Sequence, residues 1–364
     1  MDRTPTIDDV SACAYRIPTD APEADGTLAW TSTTVVVVTA TAGGRSGLGY
    51  SYTHAAAASL INTMLNGVVA GGDAMAVATA WQAMIRAVRN IGLEGLAATA
   101  ISAVDIALWD LKGKLLDLPL AQLLGPVRWR VPVYGSGGFT SYPLDRLEGQ
   151  LAGWAGQGIR MVKMKVGSTP DQDLARVSAA RRAIGPAVQL FVDANGAYDR
   201  PRALAMAEAF SGEGVVWFEE PVSSDDLIGL GLIRDRAPAG MAVAAGEYGY
   251  TPWYFRRMLE AGAVDVLQAD ATRCLGISGF LKVGAVCEAF GLPMSAHTAP
   301  SMHLHPCCAL PSLRHIEWFH DHARIEEMIF DGTPIPRDGD LQADAGRPGL
   351  GLELKQADAA KWMI

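Results

Sequence analysis

The chain has 364 residues, 49% hydrophobic and 19% charged, enough for a large core and two domains. A net charge of −9 with no Lys/Arg run excludes a general nucleic-acid binder and disfavours adhesion to anionic membranes. Five scattered cysteines without a CxxC pair, and an N-terminus (MDRTPTIDDV) without an apolar signal core, fit free thiols in a reducing cytoplasm.

The chain opens as α+β. Strands are predicted at 10–16, 33–40 and 47–52, with a polar loop (IPTDAPEADGTLAW) over 17–30. The run TTVVVVTA is too short to span a bilayer and too β-branched to be a helix. Helical spacing covers about 55–70 and 74–89, and most of 98–125, before Pro126 breaks the pattern.

A new rhythm then begins. Short apolar strands are predicted at 131–136, 161–166, 189–193, 215–219, 243–247, 264–270, 293–297 and 314–318, with helix-length segments between them. Eight strands at regular intervals are the signature of a (β/α)8 TIM-like barrel over 128–344, behind an N-terminal α+β domain over 1–127. The alternative is an open doubly wound sheet. Its glycine-rich first turn would be YGSGGF (134–139), which lacks GxGxxG spacing and reads as a turn only.

Strand 161–166 (MVKMKV) poses a question, because alternation puts Lys163 and Lys165 on one face. An edge strand would send both into water. In a closed barrel no edge exists, so Val162, Met164 and Val166 pack outward and the lysines point inward. The later strands end in more polar residues: Asp193 with Asn195 (FVDANG), Glu219 with Glu220 (WFEEPV), Glu247, Asp270, His297 and Glu317. From Lys165 to His297 the steps are 28, 26, 28, 23 and 27 residues, each about one βα unit. All therefore gather at the C-terminal rim, where barrel chemistry sits.

Asp193, Glu219 and Glu247 come from adjacent units. Three carboxylates converging in a low-dielectric pocket need a proton or a cation between them. All-oxygen ligands favour Mg²⁺, with Mn²⁺ able to substitute. Helix capping explains one such acid well, and three in consecutive units poorly. Two close ammonium groups are expected to depress one another, leaving Lys165 as a base and Lys163 as electrostatic support and a contact for a substrate carboxylate. Asp270 is placed to orient the His297 ring.

Together these motifs resemble the enolase superfamily, specifically its mandelate racemase-like subgroup, over nearly the whole chain. The resemblance implies a modified barrel, (β/α)7β, under a capping domain, with a tail over about 345–364 returning to the cap. It also implies Lys165 as base of a KxK motif, Asp193, Glu219 and Glu247 as magnesium ligands, and Asp270–His297 as a dyad on the opposite side of the substrate. Glu317 matches the acid that hydrogen-bonds the substrate carboxylate, and LQADATRCLGISG and PGLGLEL read like the same family. Relatives of the muconate cycloisomerase and dipeptide epimerase kinds carry a second lysine at the sixth strand; here that strand ends Gln268, Ala269, Asp270.

The implied reaction is α-proton abstraction next to a carboxylate through an enediolate. Acid-sugar dehydration is favoured; racemisation, epimerisation and cycloisomerisation are alternatives, and a catalytically silent binding barrel is a remote one. The expected partner is a small carboxylate, a polyhydroxy acid, within a homo-oligomer. Specificity is expected in the cap: the polar stretch 19–26 suits hydroxylated substrates, with Trp30, Tyr52 and His54 reaching them. Asn195 is assigned to substrate binding and Glu220 to support behind Glu219. Six of seven histidines fall within 297–322, which raises a zinc hydrolase as a further alternative. His303 and His305 follow strand seven rather than an early strand, so they read as mainly structural, with His303 lining the pocket.

Overall fold

The structure is a computed structural model and describes residues 5–364. An antiparallel sheet comes first: β1 (Ile7–Ala24), β2 (Ala29–Ala42) and β3 (Arg45–Tyr52), in that order. The apolar run of β2 is continuous because both its faces are buried. Val36 and Val38 pack with Trp81, Ile101 and Val104 of the cap helices, while Val35 and Val37 join the core that extends through the barrel. The sheet is thus the middle layer between cap helices and barrel. Helix Leu96–Leu116 lies directly on β3: a Cβ at Gly49 would meet the Ala103 carbonyl oxygen at 2.2 Å. That helix ends at Asp117, whose φ is +53°, and a separate helix follows at Leu120–Leu124, so 98–125 is two helices, not one.

Residues 17–30 are not a loop. β1 runs through Ala24 and pairs with β2 as a long hairpin, with an irregularity between Pro18 and Glu23. Its tip is an Asx turn in which Asp25 Oδ1 accepts the N–H groups of Thr27 and Leu28 at 2.6 and 2.7 Å. The hairpin reaches over the barrel mouth as a lid. Thr140 donates to the Asp25 carbonyl at 2.8 Å and Ser141 to that of Pro22 at 2.7 Å. A Cβ at Gly26 would meet the carbonyl oxygens of Ala194 and Val166 at 2.3 and 2.7 Å, so backbone rests on backbone there.

The barrel strands are β4 (Arg130–Gly137), β5 (Met161–Lys165), β6 (Gln189–Asp193), β7 (Val215–Glu219), β8 (Ala242–Ala245), β9 (Val266–Ala269), β10 (Met294–Ala296) and β11 (Leu313–Phe319). All neighbours are parallel, and β11 closes on β4. Seven helices cross between the strands, and an eighth, His320–Ile329, leads from β11 into the tail. Val162 and Met164 pack outward. The lower interior is filled by Tyr134, Phe191, Trp217, Ala244 and Val266, with His315 among the rings. Two residues further along, the same inward face carries Ser136, Asp193 and Glu219.

The tail adds Asp340–Gln342 antiparallel to β4 and then returns to the cap. There Asp110 accepts the Leu48 and Leu350 N–H groups at 2.6 Å each, and Ile364 N–H donates to the Ala14 carbonyl at 3.0 Å. Among the described residues no helix is long and apolar enough to cross a membrane.

Candidate active site

Register sets the site. Lys165 on β5, Asp193 on β6 and Glu219 on β7 are direct cross-strand partners. Glu247 lies just beyond β8, Asp270 just beyond β9 and His297 just beyond β10, while Glu317 on β11 pairs with Tyr134 of β4. Lys163, Lys165, Asp193, Asn195, Glu219, Glu220, Glu247, Asp270, His297 and Glu317 are all buried. The ten polar residues expected at the rim are thus brought to one end of the barrel.

Asp193, Glu219 and Glu247 each offer an oxygen, and these lie within 4.8 Å of one another. Glu247 Oε2 is buried without a hydrogen-bond partner; His297 Nε2 stands 3.3 Å away but misaligned. An all-carboxylate cradle with an orphaned buried oxygen fits a hard divalent cation. Burial, then Asp193, pushes the Glu219 carboxyl up to about 8, as like charges at close quarters must.

Lys165 Nζ donates to Asp193 Oδ2 and, at 3.1 Å, to Asn195 Oδ1. Lys163 Nζ lies 2.6 Å from Glu219, 2.9 Å from Glu317 and 3.4 Å from Asp193. The expectation that the two ammonium groups hold one another below the usual range is corrected here. Burial and Lys163 do lower Lys165, but the Asp193, Glu247 and Glu219 carboxylates together outweigh them and hold it above its ordinary value. Glu219 and Glu317 likewise raise Lys163 against its burial.

On the other flank, His297 Nδ1 is 2.9 Å from Asp270 Oδ2. Burial lowers the imidazole, yet Glu247 and Asp270 overcome this and raise it to about 9. Asp270 also accepts the N–H and hydroxyl of Thr272, both at 2.7 Å, so its orientation is fixed. Glu317 accepts the Ser136 hydroxyl at 2.6 Å and the Thr298 N–H at 3.1 Å. Asn195, Glu220, Thr298 and Ala299 all have positive φ, from +38° to +52°. Left-handed non-glycine residues cost about 1–3 kcal/mol each, and here four gather at strand ends around the acids.

The cap residues divide. Tyr52 stacks on His322 with ring centroids 3.3 Å apart, and His322 accepts the Ala299 N–H beside His297. Trp30 sits on the lid, donating to Glu23 at 2.8 Å and packing edge-on to Phe139. His54 is exposed, its Nδ1 accepting the Ala56 N–H at the start of its own helix. His303 does not line the pocket. It is fully buried, Nε2 accepting the Ala271 N–H at 2.9 Å and Nδ1 donating to the Thr298 carbonyl at 2.9 Å, so it braces the loops after β9 and β10. His305 and His315 are also buried and bonded to Ala121 N–H and the Ser295 hydroxyl, so neither faces the cradle, while His320 lies by the lid with Asp20 and Glu23.

Sequence reasoning missed several neighbours. Arg273 donates to the Glu247 carbonyl at 3.0 Å, stands 3.6 Å from Asp270 and covers the Tyr248 ring. Trp217 donates to Glu219, and Ser136 to Glu317. Ser136 and Trp217 carried a usable signal, their inward phase on barrel strands; Arg273, inside a turn, carried none.

A closed parallel barrel with a carboxylate cradle, a strand-end lysine and an Asp–His pair defines a metal-dependent barrel enzyme of the enolase type. The chain belongs to the mandelate racemase-like subgroup of that superfamily. Residues 17–125 match the mandelate racemase / muconate lactonizing enzyme N-terminal domain, and 146–359 the enolase C-terminal domain-like family. The chain is 34% identical over 361 residues to a 3,6-anhydro-alpha-L-galactonate cycloisomerase of Streptomyces coelicolor, covering 96% of this chain and 97% of that one. It is 33% identical to an L-talarate/galactarate dehydratase of Salmonella typhimurium, over 88% and 79% of the two chains. Among solved structures, a mandelate racemase/muconate lactonizing enzyme-like protein from Rubrobacter xylanophilus superposes with a TM-score of 0.97 at 53% identity, covering 99% and 100%. A racemase from Streptomyces coelicolor with bound magnesium gives 0.92 at 32%, covering 98% and 100%.

Proposed function

We propose that this protein abstracts the proton α to the carboxylate of an acid sugar and dehydrates it to a 2-keto-3-deoxy acid. The carrying observation is the carboxylate cradle flanked by Lys165 on one side and His297–Asp270 on the other. Asp193, Glu219 and Glu247 would hold Mg²⁺, with Mn²⁺ as a substitute. When bound, the cation supplies positive charge next to the oxygens that become anionic.

The chain's own residues do the rest. Lys163, with Glu317 behind it, anchors the substrate carboxylate. Lys165 or His297, whichever faces the α-hydrogen and in its unprotonated form, takes the proton, and the C–H electron pair moves into the carboxylate to give an enediolate. Collapse of that pair forms the Cα–Cβ double bond and breaks the Cβ–O bond, and an acid on the site protonates the departing oxygen. If the departing oxygen is a hydroxyl, water leaves, and the enol that remains loses its O–H proton and gains one at Cβ to become the 2-keto-3-deoxy acid. If the departing oxygen belongs to a ring, the product is a ring-opened isomer, a route that the relative named a cycloisomerase keeps in view. Asn195 contacts the substrate and Glu220 backs Glu219.

Four buried thiols suit work in the cytoplasm. The division into a cap over 1–127 and a barrel over 128–344, and assembly as a homo-oligomer, complete the reading.

The test is a panel of mono- and diacid sugars with Mg²⁺. Semicarbazide detects the 2-keto product, and solvent deuterium at the α-carbon detects proton removal. Exchange with product supports dehydration. Exchange without it moves the assignment to racemase or epimerase, and no exchange on any member overturns the reading.

A further inference from the structure

The inward face of β7 places Trp217 two residues before Glu219. The indole is buried, 1% exposed, and its ring plane is fixed. It stacks on Phe191 at 5.1 Å and 17°, with His315 5.3 Å away and Tyr134 6.4 Å away. Its Nε1–H donates to Glu219 Oε2 at 2.9 Å, while Glu219 Oε1 faces Lys163 at 2.6 Å.

We infer that Trp217 is a positioning residue for the divalent cation: its indole N–H holds Glu219 Oε2 and, with Lys163 on Oε1, fixes the plane of the carboxylate that Glu219 turns to the metal. The inference rests on the metal reading above and adds the group that aims one ligand. An indole suits the task. It is a donor with no lone pair to compete for the cation, and it carries no charge to repel it. The packed rings below it keep the N–H direction from drifting, as partners behind metal ligands do elsewhere. Phenylalanine would fill the same layer and leave Oε2 without a donor.

The test is calorimetric titration of Mg²⁺ into the metal-free protein, with thermal unfolding of the same samples. Two variants are compared: Trp217→Phe, and Trp217 replaced by β-(3-benzothienyl)alanine, whose sulfur takes the place of the N–H at nearly constant shape. Both are expected to raise the Mg²⁺ dissociation constant about 10- to 100-fold, with metal-free melting of the isosteric variant unchanged. Wild-type affinity in both variants overturns the inference. So does weakened affinity in Trp217→Phe alone, because ring volume would then be the cause. Glu219→Gln runs alongside: if it leaves Mg²⁺ binding intact, the metal reading itself fails, whereas loss there with wild-type affinity in the Trp217 variants sinks only the present inference.

Discussion

Lys165 is bonded to Asp193 on β6 and His297 to Asp270 beyond β9, and in the proposed mechanism each serves one face of a planar enediolate. Lys165→Ala is expected to lose about 100- to 10,000-fold in α-deuterium exchange on at least one α-epimer, the usual worth of a positioned acid or base. Unchanged exchange on every substrate would remove its role. His297→Asn should fall by a similar factor on the epimer presented from the other side, measured by the same exchange. Most of this site was legible in the sequence, because lysine, acids and histidine recur at one phase of successive βα units. The lateral contacts were not. Arg273 reaches Glu247 and Asp270 from a turn whose path no periodicity sets. His303 shares its stretch with His297, yet points into the protein because helix Pro300–Cys308 buries it.

At the scale of elements, all eight barrel strands lie where apolar runs and turns placed them. The 17–30 segment was misread because Pro18, Asp20, Pro22 and Asp25 are loop chemistry. β1 tolerates prolines because it is an edge strand. Gly49 shows the opposite kind of constraint, a close approach invisible in sequence. Gly49→Ala should cost about 1–3 kcal/mol as helix Leu96–Leu116 is forced off β3, seen as a melting temperature lower by several degrees.

Glu326 joins cap to barrel, accepting the Tyr50 hydroxyl at 2.7 Å and the Ser301 N–H at 3.0 Å. Burial pushes its carboxyl up to about 7 despite those donors. The folded state therefore keeps a proton that the unfolded chain releases above about pH 4.5, so stability falls as pH rises from there to about 7 and is level above, a loss on the order of 3 kcal/mol. Glu326→Gln should flatten that slope in urea unfolding between about pH 5 and pH 8. A slope identical to wild type would show that the carboxyl is already ionised.

For the whole molecule, length pointed to two domains and strand rhythm to the barrel, while the acidic balance excluded only nucleic-acid and membrane partners. The return of the tail to the cap was expected and is seen in Leu350 on Asp110, whereas the way β2 buries one face on each side was not readable. Chelation should abolish turnover and lower the melting temperature, and added Mg²⁺ should restore both. Activity that survives exhaustive chelation would contradict the cradle's role.

The hairpin tip at Gly26 is seated against the main chain of Val166 and Ala194 and the Ala197 methyl. Such a seat has no slack: a molecule as large as a sugar acid enters or leaves only when the whole flap swings clear. Throughput is then expected to be governed by swinging, a motion through solvent, more than by bond breaking. Added sucrose or glycerol should slow kcat in proportion to viscosity, and Gly26→Ala, which props the flap ajar, should weaken that drag while raising KM.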